Sequence, residues 1–507
     1  MEDIMMGVGI GFLNTLFVFL VGAFVLLLVA LAVIDRLQTE DAIRRNYPLL
    51  GRFRSVFSNL GEFFRQYFFA MDREEMPFNR AERNWVERAA GNKDNTVAFG
   101  STRNLTMVGE AIFVNCPFPT LSNEAEEIQP LVIGANTPNP YHAPSIFNIS
   151  GMSFGALSVP AVTALSKGAK MANCWMNTGE GGLSPYHLQG GCDIIFQIGT
   201  AKYGVRDAAG NLCDDKLREV AAHSQVKMFE IKMSQGAKPG KGGILPGAKV
   251  TEVIANIRGI PAGKDSISPN RHVEIDSVDG LLNMIERVKK ATGKPVGFKA
   301  VVGAFGWLDT LCEEIHKRGL HSAPSFITID SGDGGTGAAP MALMDSCGLP
   351  IKESLPLVAN VLHKYGLRDH VRLIASGKLI TPAEVAWALA AGADFVTSAR
   401  GFMFSLGCIQ ALKCNKNTCP TGITTHKEAL QKGLDPADKS VKVARYHKQM
   451  QKDVAVIAHS CGVARPRLLQ RYHLRIVQRS GTSVALNDLQ PWPEIKTIGS
   501  SAKEGTL

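Results

Sequence analysis

The stretch VDGLLNMIERVKKATGKPVGFKA, residues 278–300, decides the fold. Its first part carries a helical apolar pattern that stops at Gly293. VGFKA (296–300) then reads as a short apolar strand in which Lys299 stands at the far end. Working outward, the same rhythm recurs in IFNI (146–149), WMNT (175–178), IIFQI (194–198), MFEIK (228–232), FITID (326–330), RLIA (372–375) and FVTS (395–398). Helical stretches such as TPAEVAWALAAGA separate several of these runs. Strand–helix alternation argues for parallel βα units, and a count of eight for a closed (β/α)8 TIM barrel rather than a doubly wound sheet. The expected fold class is α/β.

In such barrels the active site lies at the C-terminal ends of the strands, and the polar signatures fall there. SGMSFGALS follows the first run, GEGG the second, MSQGAKPGKGG the fourth, SGDGGTG the sixth, SGK the seventh and ARG the eighth. The last two loops are where barrels commonly bind a phosphate. Gly377 and the turn from Ser398 and Ala399 to Gly401 offer backbone N–H groups, and Arg400 adds charge. Taken singly, these glycines are ordinary turn residues; their placement points to a phosphorylated cofactor. No G-x-G-x-x-G opens a helix within a βαβ unit, so a Rossmann nucleotide domain is not expected. A barrel with a phosphate site and a redox centre points to FMN, which couples one-electron clusters to two-electron hydride chemistry.

The redox centre is read from Cys408, Cys414 and Cys419, spaced C-x5-C-x4-C and followed by Pro420. Thiolates this close can wrap one iron–sulfur cluster, and three ligands suit a 3Fe-4S cluster or a four-iron cluster with an open corner. The paired C-x2-4-C spacing of zinc sites is not present. The alternative is three buried free thiols. The chain's ten cysteines are otherwise scattered through its 507 residues and do not form a disulfide framework.

Gly7 to Ile34 is uncharged and rich in Leu, Val and Phe, enough for one membrane-spanning helix. Glu2 and Asp3 precede it, and Arg36, Arg44, Arg45, Arg52 and Arg54 follow. The positive-inside rule places the N-terminus outside and the rest in the cytoplasm, a single-pass protein of a cell inner membrane. The aromatic residues Phe63, Phe64, Tyr67 and Phe68 pack on the catalytic body or lie at the membrane interface. The net charge of +9 is placed beside the membrane and near the C-terminus, and no nucleic-acid-binding motif accompanies it. The expected divisions are an anchor (1–35), a juxtamembrane region (36–140), the barrel (141–425) and a helical C-terminal extension (426–507).

The segments SGMSFGALS, NTGEGG, EIKMSQGAKPGKGGILPG, ISPNRH, DSGDGGTGAAP and NTCPTGITT, in this order from Ile146 to Thr425, resemble the FMN and iron–sulfur synthase domain of glutamate synthase. The resemblance implies reductive amination: ammonia condenses with 2-oxoglutarate and reduced FMN delivers hydride to give glutamate, with electrons arriving through a 3Fe-4S cluster. It implies that Lys232, Gln235, Lys238 and Arg258 bind the dicarboxylate, Arg258 as a bidentate clamp. Glu180 would handle the ammonia or iminium as a general acid/base or a charge stabiliser, and Lys299 would sit beside the flavin and act in catalysis. Ser150, Met152, Ser153, Gln197, Lys299, Asp333, Gly334, Gly335, Gly377, Ser398, Ala399 and Arg400 would contact FMN. In a bland reading, the lysines of the Gly-rich loop are solvated, Glu180 caps a helix, and His272 is a structural histidine.

The large glutamate synthases begin with a glutaminase domain bearing an N-terminal cysteine, whereas this sequence opens on the apolar segment. The nitrogen is therefore expected as free ammonia, from a partner, or as a primary amine giving an N-substituted glutamate. The electron partner is expected to be ferredoxin-like or membrane-bound, and a homo-oligomer is possible. The competing readings are a membrane-bound flavin dehydrogenase that oxidises an amino or hydroxy acid, and a non-catalytic scaffold that retains the fold.

Overall fold

The computed structural model describes residues 2–38, 42–304 and 306–496. The chain forms two compact units, divided between Arg80 and Ala81. In the larger unit, β1 (Phe147–Ile149), β2 (Met176–Asn177), β3 (Ile194–Ile198), β4 (Val226–Lys232), β5 (Val296–Val301), β6 (Phe326–Asp330), β7 (Arg372–Ser376) and β8 (Phe395–Ser398) form a closed barrel. All pairings are parallel, and β8 closes on β1 with Val396 opposite Phe147. Every residue of β3, β6 and β8 is buried. Such strands are covered on both faces, which explains their continuous rather than alternating apolar runs.

The N-terminal mouth of the barrel is plugged. Leu131–Ile133 pairs antiparallel with Tyr141–Ala143. Ile133, Tyr141 and Ala143 join Trp175, Ile195, Met228, Phe326, Ile374 and Phe395 in one buried cluster. The opposite end is where charge collects, because the strands finish in Lys232, Lys299 and Asp330 rather than in apolar residues. The β4–β5 register sets Lys232 opposite Lys299. Two neighbouring ammonium groups repel unless anions are interleaved, and this requirement shapes the site.

Two helices buttress β1. The helix α4 (Val159–Ala172) is capped by the Ser158 side chain and ends at Asn173, whose φ of 50° is left-handed. It packs against the helix α5 (Pro436–Ser460), which Asp435 caps. Gly168 permits the close approach, since a Cβ there would overlap Val443. Beyond α5 the chain is not all helical: Leu474–Val477 pairs with Ala111–Phe113 and with Ser483–Ala485 in a small antiparallel sheet.

In the smaller unit, α1 (Glu2–Leu37) is followed by α2 (Ala42–Asn46) and α3 (Leu50–Phe64). Gly11–Leu37 of α1 is 27 residues with a mean hydropathy of 3.2. At 1.5 Å per residue this is about 40 Å, so by length and composition it can cross a bilayer.

Candidate active site

The strand ends and their loops enclose an open cleft with about 1050 Å³ of atom-free space, its mouth included. Met152, Ser153, Glu180, Gln197, Lys232, Gln235, Lys238, Arg258, Lys299, Gly335, Ala399, Arg400 and Cys414 all line it. Most residues singled out in the sequence are therefore brought together on one wall or another. Ser150, Asp333, Gly334, Gly377 and Ser398 do not line it. Asp333 is held away by Lys378, whose Nζ lies 2.8 Å from Oδ2, and by a hydrogen bond from Ser331. These two interactions, working against burial, hold its carboxyl below the usual range.

The centre of the site is an alternation of charges. Lys232 Nζ lies 2.8 Å from Glu180 Oε2 and donates to Gln235 Oε1 at 2.7 Å. Lys299 Nζ lies 3.3 Å from Asp330 Oδ2, which also accepts the Gly236 N–H at 3.0 Å. Burial alone would raise the Glu180 carboxyl, but Lys232, Lys238 and Arg258 bring it down to about 2. Glu180 is thus a carboxylate at neutral pH, not a reserve of protons. Burial lowers Lys232 and Lys238 below an ordinary lysine, whereas Asp330 and Glu230 outweigh burial at Lys299 and raise it.

Lys238 is buried, and its ammonium makes no hydrogen bond or ion pair among the described residues. A buried cation without a partner strongly favours an anion in the space it faces. Solvation of the Gly-rich loop lysines, the bland reading, does not describe Lys232 or Lys238. Arg258 is also buried, but its fork is partly engaged: Nη1 donates to Ser266 Oγ at 3.0 Å and Nη2 to the Phe154 carbonyl at 3.3 Å. Its plane lies over Tyr203, 5.1 Å from the ring centroid. The structure thus makes Arg258 a rigid wall of positive charge, with little freedom left for a bidentate clamp. His272 is structural: it is buried, Nε2 meets the Lys232 carbonyl at 3.1 Å, and burial lowers the ring to about 4.

Three groups escaped the sequence reading. Glu230 is fully enclosed, accepting from Gln197 Nε2 at 2.6 Å, Asn177 Nδ2 at 2.8 Å and Thr328 Oγ1 at 2.6 Å. By fixing the Gln197 nitrogen it turns the Gln197 carbonyl oxygen into an available acceptor. Asp330 is the partner of Lys299. Lys249 is buried in the cleft wall and donates to the Ala156 carbonyl at 2.8 Å and the Cys414 carbonyl at 3.3 Å. Burial lowers it to about 8, against the pull of Cys414 and Cys419. The signal available for Glu230 and Asp330 was a charge inside an apolar strand; for Lys249 there was none.

The cleft suits a phosphorylated, ring-bearing cofactor. It is wide and cationic, and an added Cβ at Gly335 would stand 2.9 Å from Arg400 Nε, so backbone and guanidinium are already close. Arg400 itself reaches sideways to the Thr336 carbonyl and lies 3.8 Å from Cys414 Sγ. Among the described residues no three His, Cys, Asp or Glu side chains converge on a single metal ion. Cys408, Cys414 and Cys419 nonetheless lie within electrostatic reach of one another. Burial raises the Cys408 thiol, whereas hydrogen bonds from Thr421 and Thr424 outweigh burial at Cys419 and lower it.

Comparison with known proteins points to one family. The conserved region in glutamate synthase matches residues 119–464. The glutamate synthase large subunit-like protein YerD of Bacillus subtilis is 39% identical over 494 residues, 90% of this chain and 93% of its own. The archaeal glutamate synthase (NADPH) of Methanocaldococcus jannaschii is 34% identical over 328 residues, which is 62% of this chain and 58% of that protein. A glutamate synthase large subunit-like protein of Rhizobium meliloti is 30% identical, covering 64% of this chain and 73% of its own.

Proposed function

Since this chain belongs to the glutamate synthase family, we propose that it is an FMN- and iron–sulfur-dependent oxidoreductase that reductively aminates a 2-oxo dicarboxylate, 2-oxoglutarate in the first instance. The observation that carries this reading is the set of buried cations Lys232, Lys238, Arg258 and Lys299 on the wall of one cleft, of which Lys232 is paired with Glu180 and Lys299 with Asp330 while Lys238 has no anionic partner among the described residues. A unit charge pair at about 4 Å is worth about 4 kcal/mol at an effective dielectric near 20. A dianion is thus strongly favoured there, whereas a neutral or cationic substrate is not.

The net reaction adds ammonium, two electrons and two protons to 2-oxoglutarate and releases glutamate and water. FMN, when bound, supplies the hydride and exchanges single electrons with the cluster. The chain's own groups do the rest. Lys238 holds one carboxylate and orients the oxo carbon, and Arg258, fixed in the wall, adds positive charge for the other. Lys232, kept below an ordinary lysine, gives a proton to the oxo oxygen as it leaves as water. Glu180, ionised and 2.8 Å from Lys232, stabilises the cationic iminium. Lys299, held by Asp330, would sit at the flavin edge. Gln197 would offer its carbonyl oxygen to a ring N–H, and Met152, Ser153, Gly335, Ala399 and Arg400 would lie along the cofactor. Cys408, Cys414 and Cys419 would hold the cluster.

The same proposal places α1 across a membrane with its N-terminus outside and the barrel in the cytoplasm, on the strength of the arginines that follow it. A ferredoxin-like or membrane-bound partner supplies the electrons. The nitrogen donor is ammonia or a primary amine. The test is product analysis. Purified protein with reductant, 2-oxoglutarate and ¹⁵N-ammonium should yield ¹⁵N-glutamate; incorporation only from alkylamines would make the product an N-substituted glutamate. Oxidation of an amino or hydroxy acid, with no incorporation, would favour the dehydrogenase direction.

A further inference from the structure

The end of α1 is built as a fixed elbow. Asp35, in its last turn, is fully buried, and each of its carboxylate oxygens takes two donors. Oδ1 accepts from Arg44 Nη2 at 3.0 Å and Nε at 3.3 Å. Oδ2 accepts from Arg52 Nε at 2.7 Å and from the Leu49 N–H at 3.1 Å. Gly51 lets α2 lie against α3, since a Cβ there would stand 2.7 Å from Arg44 Cα. The direction of α3 is therefore set by a residue of the last turn of α1.

The face that α3 presents is apolar and open. Leu50, Phe53, Phe57, Leu60 and Phe68 recur at helical spacing, and all are exposed, from 41% at Leu60 to 69% at Leu50. Phe53 and Phe57 stack at 6.2 Å between centroids, and Phe64 and Phe68 meet at 5.4 Å. Aromatic residues over one or two turns of an exposed helix have the composition of a membrane-interface belt. Arg36 and Arg45, exposed beside the elbow and outside the Asp35 pairing, add charge that matches anionic headgroups, about 1 kcal/mol for each one near the surface.

We propose that α3 and the helical turn that continues it to Phe69 form an in-plane paddle, with the aromatic face lying in the headgroup and upper acyl region of the membrane that α1 crosses. This rests on the membrane reading of α1. Depth favours lipid over a protein surface. The elbow ties α3 to Asp35, and Asp35 stands where the apolar span ends, so α3 is held at interfacial depth. A paddle there fixes where the elbow sits against the bilayer, beyond what a single span does.

The test uses the full chain in native membranes, with benzoylphenylalanine placed singly at Phe19, Phe57, Phe68 and Tyr472. Tyr472 is 59% exposed on the barrel unit and serves as the control. Lipid adducts are expected at Phe19, Phe57 and Phe68 and not at Tyr472, and Asp35→Asn should remove most of the Phe57 adduct. A lipid adduct at Phe19 with none at Phe57 and Phe68 overturns the paddle and leaves the span standing. So does crosslinking of Phe57 to residues 81–496 or to a second copy. Loss of the adduct at Phe19 as well overturns the membrane reading itself, and the paddle with it.

Discussion

Lys232 and Glu180 form a largely buried ion pair, Nζ to Oε2 at 2.8 Å, that joins the end of β4 to the loop after β2. A buried pair seldom stabilises more than well-packed apolar residues of the same volume would, and losing one partner leaves the other charge uncompensated. Its presence at the cleft is therefore better explained by chemistry than by stability. Glu180→Gln keeps the shape and removes the charge. Turnover is expected to fall by at least about a hundredfold, the scale of a lost acid–base or charge-stabilising group. Anaerobic single-turnover kinetics would measure it, and an unchanged rate would remove Glu180 from the mechanism.

Lys238 carries the complementary expectation. Its ammonium has no partner among the described residues, so Lys238→Met should spare the fold and weaken substrate binding. A hydrogen bond to a charged group contributes about 1.5–3 kcal/mol, so the KM for 2-oxoglutarate is expected to rise by about 10- to 100-fold. The KM for a 2-oxo monocarboxylate should move less. Steady-state kinetics on both substrates distinguishes a carboxylate contact from general loss of the site.

Gly243 is the residue that makes room for Glu180. A Cβ at this position would collide with Glu180 Oε1, whereas one at Gly303 meets nothing within 4 Å. Gly243→Ala should displace the carboxylate and lower turnover while leaving the melting temperature close to that of the parent. Gly303→Ala, the control, should leave turnover as it was. Equal activity in both variants would mean that Glu180 has no fixed position to lose.

A test of pH dependence lies away from the cleft. Glu384 is half-buried at the start of its helix and accepts the N–H groups of Ile380 at 2.8 Å and Thr381 at 2.9 Å. Burial, helped by the charge of Glu82, lifts its carboxyl from 4.5 to about 7. The folded value lies above the unfolded one. Its favourable contribution is therefore complete below pH 4.5 and is lost as pH rises through about 7. Glu384→Gln should raise stability at about pH 8, by roughly 1–3 kcal/mol, and give no gain at about pH 4. Urea midpoints at the two pH values check the sign.

The barrel was legible in the sequence because its strands are buried on both faces and stand as unbroken runs such as FITID and VGFKA. Even β2, two residues long, was marked by WMNT and the glycines after it. Glu180, Lys232, Lys238 and Lys299 were legible because charge in such places needs a reason. What was hidden depended on contacts made only in three dimensions. Glu230 finds Asn177, Gln197 and Thr328 on three other strands. Lys249 joins two loop carbonyls that lie 93 and 165 residues from it. The engagement of Arg258 with Ser266 and Phe154 is of the same kind. Residue type alone suggests a carboxylate fork there, but the packed geometry directs the guanidinium into the wall.

The most direct measurement is the visible spectrum of the full chain, solubilised in detergent, purified without oxygen and reduced with dithionite. The oxidised flavin bands are expected to return on adding 2-oxoglutarate and ammonium together, and with neither alone. A chain that binds no flavin, or a bound flavin that stays reduced with every 2-oxo acid and amine yet is reduced from its oxidised form by an amino or hydroxy acid, would contradict reductive amination at this cleft.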